Sequence, residues 1–394
     1  MEFGFSEPEE KFRQEVRDFL NKEIPPSWVK GGMLSAGETE NEEEWAFWKS
    51  IQHKLAEKGW LGINWPKEYG GLGRSHMELN IFMEEMSYRG APGVAPANIW
   101  HLGPMLLAWG TEEQKKTHLP QAARGETLWI DALAEPDAGS DAANITTTAV
   151  QDGNDYIING RKRWGCVVPF DWFLFIARTD PDSTRHRGLS MFMTHVKTTG
   201  ITVRPILDSD GYPYFADITL DNVRLPKENM IGPENQGWTV ITTTFNNERN
   251  FFDIVGAIRR ILRLIIDYAK ETKRNGEPLV KNPVIRRKLA QLAIEAEVTR
   301  LLYYRVVWFR DRGTTLIHET SLAKVFGNET MKHMVTTGME IMGLHGQLKP
   351  GSKWASSAAK MQHAYLVNPA WAVGGGATEI EKNLIAWMGL KMPR

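Results

Sequence analysis

Two stretches of helical periodicity flank a stretch that has none, and that order limits the fold of this 394-residue chain more than any other feature. From Glu10 to Leu20, Phe12, Val16, Phe19 and Leu20 recur at helical spacing, and a second pattern runs through Trp45, Trp48, Ile51, Leu55 and Trp60. Pro66 to Gly73 is too rich in Gly and Pro to continue a helix, and helical pattern resumes over Met77–Met86 and around Met105–Trp109. After Gly125 come short segments rich in β-branched and aromatic residues, at 146–150, 156–158, 173–177, 190–194, 201–205 and 216–223, each bounded by turn formers. Long helical patterns return over Thr239–Lys273, Ile285–Arg310, Ser321–Met342 and Thr378–Met388. Helices, then strands, then helices, with no alternation of the two, argue against a doubly wound sheet. The expectation is an α+β chain with a helical domain over 1–125, an antiparallel β-domain over 126–236 and a helical bundle over 237–394.

Composition narrows the chemistry. With 47 Lys+Arg against 48 Asp+Glu the formal charge is -1, which argues against a nucleic-acid surface as the main business. The single cysteine, Cys166, excludes an internal disulfide and a cysteine-cluster metal site, and it fits a reducing compartment, so a cytoplasmic protein is expected. The acidic N-terminus does not resemble a secretory signal, and no window approaches the roughly 20 apolar residues that span a bilayer. No G-x-G-x-x-G follows a strand, no G-x-S-x-G holds a nucleophile, and the ten His residues show no metal-ligand spacing. Gly346–Lys353 lacks the Lys-Ser or Lys-Thr ending of a phosphate loop and reads as a connection.

Several loop motifs remain. They are Tyr69-Gly-Gly-Leu-Gly73, Gly110-Thr-Glu-Glu-Gln-Lys115, Glu135-Pro-Asp-Ala-Gly-Ser-Asp141, Asn159-Gly-Arg-Lys-Arg-Trp164, Ile231-Gly-Pro-Glu-Asn-Gln-Gly237 and the C-terminal run from Thr378-Glu-Ile380. In this order, over nearly the whole chain, the sequence resembles the acyl-CoA dehydrogenase family. The resemblance implies three domains, FAD bound noncovalently between subunits, and a tetramer, homo- or heteromeric, built as a dimer of dimers. It also implies α,β-dehydrogenation of an acyl-CoA to a trans-2-enoyl-CoA, with electrons passed to an electron-transferring flavoprotein.

That reaction needs a carboxylate base in a dry pocket. Many family members carry it just ahead of the Thr/Ser-Glu-Ile run, where this chain has Gly375 in Gly374-Gly-Gly376. A smaller group places it on the first long helix of the C-terminal domain, before an Arg, and here Asn246-Asn-Glu248-Arg249 occupies that place. Glu248 is therefore the expected base; without the resemblance it reads as a solvated helix carboxylate. Ser140, Asn246, Arg249 and Gly376 are expected at the acyl-CoA.

For the cofactor the resemblance points to Leu133, Ala134, Gly139, Ser140, Trp164, Cys166, Arg274, Glu340, Gly343, Thr378 and Glu379. Trp164 is expected against the flavin ring. Cys166 stands where a hydroxyl residue usually meets flavin N5, and a thiol is the weaker hydrogen bonder. Ala134 replaces another hydroxyl residue, which leaves backbone contacts. At the adenine end, Thr272, Asn275, Glu340 and Leu344 replace Arg, Phe, Gln and Gly of relatives. A carboxylate beside a pyrophosphate is unfavourable unless Arg274 or a lysine offsets it. This combination resembles subunits of heteromeric steroid side-chain dehydrogenases. Two alternatives share the fold: a flavoprotein that carries out desulfination or reduction, and a non-catalytic partner subunit.

Overall fold

In a computed structural model the described residues are 4–26, 28, 41–166, 169–248, 253–314, 316, 318–349, 351–355 and 360–393; for 243 and 246–248 the backbone alone is described. The chain forms two compact units, one of residues 1–35, 75–92 and 249–394, the other of 36–74 and 93–248. Helices α1 (Glu7–Glu23) and α3 (His76–Arg89) thus pack with the C-terminal helices, while α2 (Glu42–Glu57), α4 (Gly103–Trp109) and α5 (Glu112–Ala123) pack with the strands. Helix starts follow their capping residues: Ser75 and Glu78 close a reciprocal box at α3, as Thr111 and Gln114 do at α5.

The strand unit holds a sheet ordered β6-β7-β3-β2-β4-β5-β8, with β1 on β4. Its strands are β1 (Trp129–Asp131), β2 (Thr148–Asp152), β3 (Asp155–Cys166), β4 (Trp172–Arg178), β5 (Leu189–His195), β6 (Ile201–Ile206), β7 (Phe215–Pro226) and β8 (Met230–Ile231). Pairing is antiparallel except where β1 and β2 meet β4. The core of β4 is buried on both faces: Phe173 and Phe175 join Tyr156, Ile158, Phe192 and Ile218, whereas Leu174 and Ile176 join Trp65, Leu106, Leu119, Val240 and Ile241. Period-2 side chains therefore serve two cores at once. Asn159–Cys166 is not a loop, as its polar composition suggests, but the second half of β3; register shifts at Ile158/Gly160 and Arg163/Gly165 absorb the irregular residues.

In place of one run over Thr239–Lys273 there are two helices, α6 (Gly237–Glu248) in the strand unit and α7 (Asp253–Glu271) in the other. A hairpin of β9 (Lys273–Arg274) and β10 (Glu277–Pro278) follows, turned by Asn275 and Gly276 at φ 53° and 83°. Two successive positive φ values are what a two-residue hairpin turn demands of Asn-Gly. Then come α8 (Pro283–Arg310), α9 (His318–Met342), α10 (Lys360–Val373) and α11 (Thr378–Leu384).

In this helical unit α3 and α7 approach so closely that a Cβ on Gly256 would overlap the backbone of Glu84 and Tyr88. Glu84, fully buried, accepts from Arg13 at 3.4 Å and also from Arg259 and Tyr304, with Arg300 at 3.5 Å. One carboxylate on α3 thus ties α1, α7 and α8. Burial, reinforced by Glu84, raises the Tyr304 hydroxyl well above its usual range, so it stays a donor. Glu84→Ala removes the carboxylate of Arg259 and leaves Arg13 and Arg300 with only Glu85 and Glu297 as main partners, and it should lower the unfolding free energy by about 3 kcal/mol in denaturant titration, far more than Glu78→Ala at the exposed cap.

Candidate functional site

The expected flavin-facing residues of the strand unit gather at one end of β3. Glu135 is buried under a short turn, its N–H donating to Ala138 O at 3.0 Å and its carbonyl accepting from Ala138 at 3.2 Å. One carboxylate oxygen accepts from the Thr146 amide and hydroxyl at 2.7 and 2.8 Å. The other accepts from the Thr147 amide and hydroxyl at 3.0 and 2.5 Å, and from Lys162 Nζ at 2.8 Å. Lys162 is fully buried and also reaches Leu133 O at 3.5 Å, while the Arg163 amide donates to Ala134 O at 2.8 Å. The Leu133–Ala138 segment is thereby pinned onto β3.

Burial by itself would push the Glu135 carboxyl up; the Lys162 charge and the donors from Lys162, Thr147 and Thr146 outweigh it and hold it down to about 2. Burial pushes the Lys162 ammonium down to about 8 against the pull of Glu135. The pair therefore stays ionised across neutral pH.

Trp164 follows Lys162 by two residues, on the register shift, with φ 70°. A left-handed backbone at a bulky residue is strained and re-aims its side chain. The indole is 50% exposed and lies edge-on to Phe215 at 5.6 Å. Arg161 and Arg163 flank it, both bonded to Asp217 at 2.5–3.3 Å, and the Arg161 hydrogen bond is the chief cause that lowers the Asp217 carboxyl. Cys166 Sγ lies 3.6 Å from Trp164 O. Gly139 and Ser140 are exposed, with open space about Gly139. Among the described residues the N–H groups of Leu133 and Ala134 have no partner. An exposed indole beside two unused backbone donors fits the planar, acceptor-rich ring of a flavin.

Asn246 and Glu248 form the last turn of α6, with Glu248 four positions after buried Thr244 and seven after buried Ile241. Arg249 lies outside the described residues.

The remaining candidates belong to the helical unit. Gly376 has φ 106° ahead of α11; Thr378 is buried and donates to Ala372 O at 3.3 Å, and Glu379 is exposed. Arg274 sits exposed in the hairpin and Gly343 takes φ 57° after α9. Glu340 on α9 is bonded to Lys288 of α8, so a lysine does offset this carboxylate. Sequence reasoning missed the Glu135–Lys162 pair as a structural device, although both stand inside the quoted motifs. No group of three or more His, Cys, Asp or Glu suited to a metal ion occurs among the described residues, and no helix among them is long and apolar enough to cross a membrane.

Three family descriptions match in sequence: acyl-CoA dehydrogenase N-terminal domain over residues 6–126, middle domain over 131–223 and C-terminal domain over 235–389. The chain is 31% identical to the acyl-CoA dehydrogenase FadE26 of Mycobacterium tuberculosis, over 100% of this chain and 99% of that protein. Among solved structures it is similar to the Tcur3481-Tcur3483 steroid ACAD, at TM-score 0.89 and 30% identity over 100% of both chains. It is also similar to the ChsE4-ChsE5 complex of Mycobacterium tuberculosis, at TM-score 0.87 and 29% identity over 100% of both.

The depressed Glu135 fixes a pH dependence. Its folded value lies below the ordinary carboxyl value of 4.5, so its contribution to stability is complete above that value and is lost as pH falls from about 4.5 to about 2. Lys162→Met removes the main source of the depression. Stability measured against pH should then lose that acid limb, and the variant should be less stable than the parent at neutral pH by roughly 3 kcal/mol or more.

Proposed function

The chain belongs to the acyl-CoA dehydrogenase family, and from that membership we propose that it dehydrogenates an acyl-CoA to the trans-2-enoyl-CoA with Glu248 as the base. The observation that carries this reading is a paired exchange of positions. Gly375, at φ 65°, brings no side chain to the family's usual place for the base, while α6 ends on Glu248 directly ahead of an arginine. Glu248 closes a helix whose preceding turns bury Val240, Ile241 and Thr244, and a base in apolar surroundings is the one suited to take a proton from carbon.

FAD, when bound, would supply the two-electron acceptor for the β hydride. Trp164 would cover the ring and exclude water, and Leu133 and Ala134 would offer it their N–H groups. Ser140, Asn246, Arg249 and Gly376 would hold the acyl-CoA. Arg274, Gly343, Thr378 and Glu379, with Glu340 neutralised by Lys288, would meet the dinucleotide. An electron-transferring flavoprotein is the acceptor this chemistry calls for, and a steroid side-chain thioester is the substrate class suggested by the steroid ACAD resemblance.

Glu248→Gln keeps shape and removes basicity. Dehydrogenation should fall by at least about 10²-fold with the flavin spectrum unchanged, and retained turnover would move the base to another carboxylate. Desulfination or reduction that survives the substitution would favour that alternative chemistry.

Thr272, Asn275 and Glu340 replace three residues by which relatives lend a cofactor half-site to a neighbour. Intact-mass measurement with a flavin count should therefore find fewer tightly held FAD than chains, in an assembly with a second kind of chain or in a homomer that loses FAD on dilution. A homotetramer with one tightly held FAD per chain would overturn this. A colourless chain that takes up FAD only with a partner chain would support the non-catalytic subunit.

A further inference from the structure

Next to the Gly374–Gly376 turn lies a buried polar cluster that the proposed reaction does not use. Glu381, midway along α11, is fully buried and accepts the Ser321 hydroxyl at 2.5 Å. A Cβ on Gly376 would overlap Glu381 Oε1, so this carboxylate fills the volume that a side chain at 376 would take. On the same face of α9 as Ser321, three and seven positions on, stand Lys324 and Asn328. Lys324 Nζ donates to Gly374 O at 2.9 Å and to Trp371 O at 3.4 Å, and Asn328 donates to Trp371 O at 3.1 Å. Tyr303, also buried, has its hydroxyl pushed up by burial, with the Glu381 and Asp253 charges adding to it.

A fully buried carboxylate is costly unless each oxygen has a task. At φ 106° residue 376 can carry no side chain without strain, so nothing of its own can wedge the turn in place. One face of α9 holds the incoming carbonyls, and Glu381, fastened to the same face by Ser321, fills the far side of the turn.

We propose that Glu381, through its hydrogen bond to Ser321 and its packing on Gly376, is a positioning residue that fixes the Gly374–Gly376 backbone and hence the place of Gly376 against the acyl-CoA. The last step rests on the proposed function; the fixing of the turn does not. Shape and acceptance of the Ser321 proton carry the effect, so the isosteric amide should replace the carboxylate.

The test uses the assembled, flavin-loaded enzyme. In amide hydrogen exchange, Glu381→Ala and the milder Ser321→Ala should speed exchange over residues 374–378 by at least about tenfold, and Glu381→Gln should not. Unchanged exchange in both Ala variants, or equal loss of protection in Glu381→Gln, would overturn the proposal. In a double-mutant cycle, Gly376→Ala should lower the melting temperature by at least about 2 °C less in the Glu381→Ala background than in the parent, and additive shifts would count against it. With an acyl-CoA substrate, Glu381→Ala should lower kcat at least about tenfold with KM and the FAD-to-chain ratio unchanged, and Glu381→Gln should recover most of it. A kcat that falls only in step with lost FAD would refute the positioning role. If the parent enzyme oxidises no acyl-CoA, the proposed function fails, and exchange and the thermal cycle still decide whether Glu381 fixes the turn.

Discussion

The Lys162–Glu135 pair is the interaction on which the candidate flavin surface depends. It lies where β3 meets the turn that begins at Leu133, and each partner does what an apolar residue there would not. Glu135 gathers four donors from Thr146 and Thr147, which fixes the start of β2 as well as the turn. Lys162 faces inward from β3, and strict alternation would turn Trp164 inward as well; the register shift between Arg163 and Gly165 breaks that alternation and leaves the indole exposed. A hydrophobic pair of the same volume would fill the space and is often no less stable, yet it would offer no partner to the Thr146 and Thr147 donors or to Leu133 O. The positive φ of Trp164 shows where the constraint is met: the strand takes a register shift there and the side chain stays outside the core.

The helical unit solves a similar problem around another buried carboxylate. There one buried carboxylate, Glu84, serves guanidinium groups from three other helices, while Glu85 beside it takes Arg17 at 2.8 Å and Arg13 at 3.3 Å. Nine consecutive residues of α3, Leu79 to Ser87, are buried, so this helix has no solvent face on which charges would be free. Acidic residues inside it are tolerable only because their partners arrive from all sides.

Much of this was legible in the sequence because it is periodic. The apolar spacing of α1 and α2 and the β-branched runs of β4 to β7 each report a local preference, and the structure keeps them within a few residues. What failed was local in another way. Asn159–Cys166 reads as a loop because Gly, Arg and Lys dominate it; it is a strand because β7 pairs along it and Glu135 neutralises its one buried cation. Such a tertiary partner leaves no periodic trace. Likewise α10 carries Pro369 and a mixed composition, and α9 supplies the contacts that hold its end. The site motifs were legible as a set through family resemblance, whereas the roles of Glu381, Ser321 and Lys324 required three-dimensional contacts between segments about 60 residues apart.

The residues that depart from the family at the adenine end are not loose ends in this fold. Asn275 takes the first left-handed position of a two-residue turn, a place where an aromatic side chain would be strained and Asn is not. Thr272 continues the end of α7 through its amide to Tyr268 O at 2.9 Å and receives Leu279 through its carbonyl at 2.9 Å. Glu340 has Lys288 as its own counter-charge. Thr272 and Glu340 have partners within the chain and Asn275 meets the backbone demand of the turn, so none of the three depends on an anion for its place. An arginine at 272 would bring a positive charge suited to a pyrophosphate; a threonine brings none. Among these three positions the one remaining charge is balanced by the Glu340–Lys288 pair, so a dinucleotide bound there as proposed would take its cationic contact from Arg274, exposed in the hairpin, and the rest from backbone groups and packing.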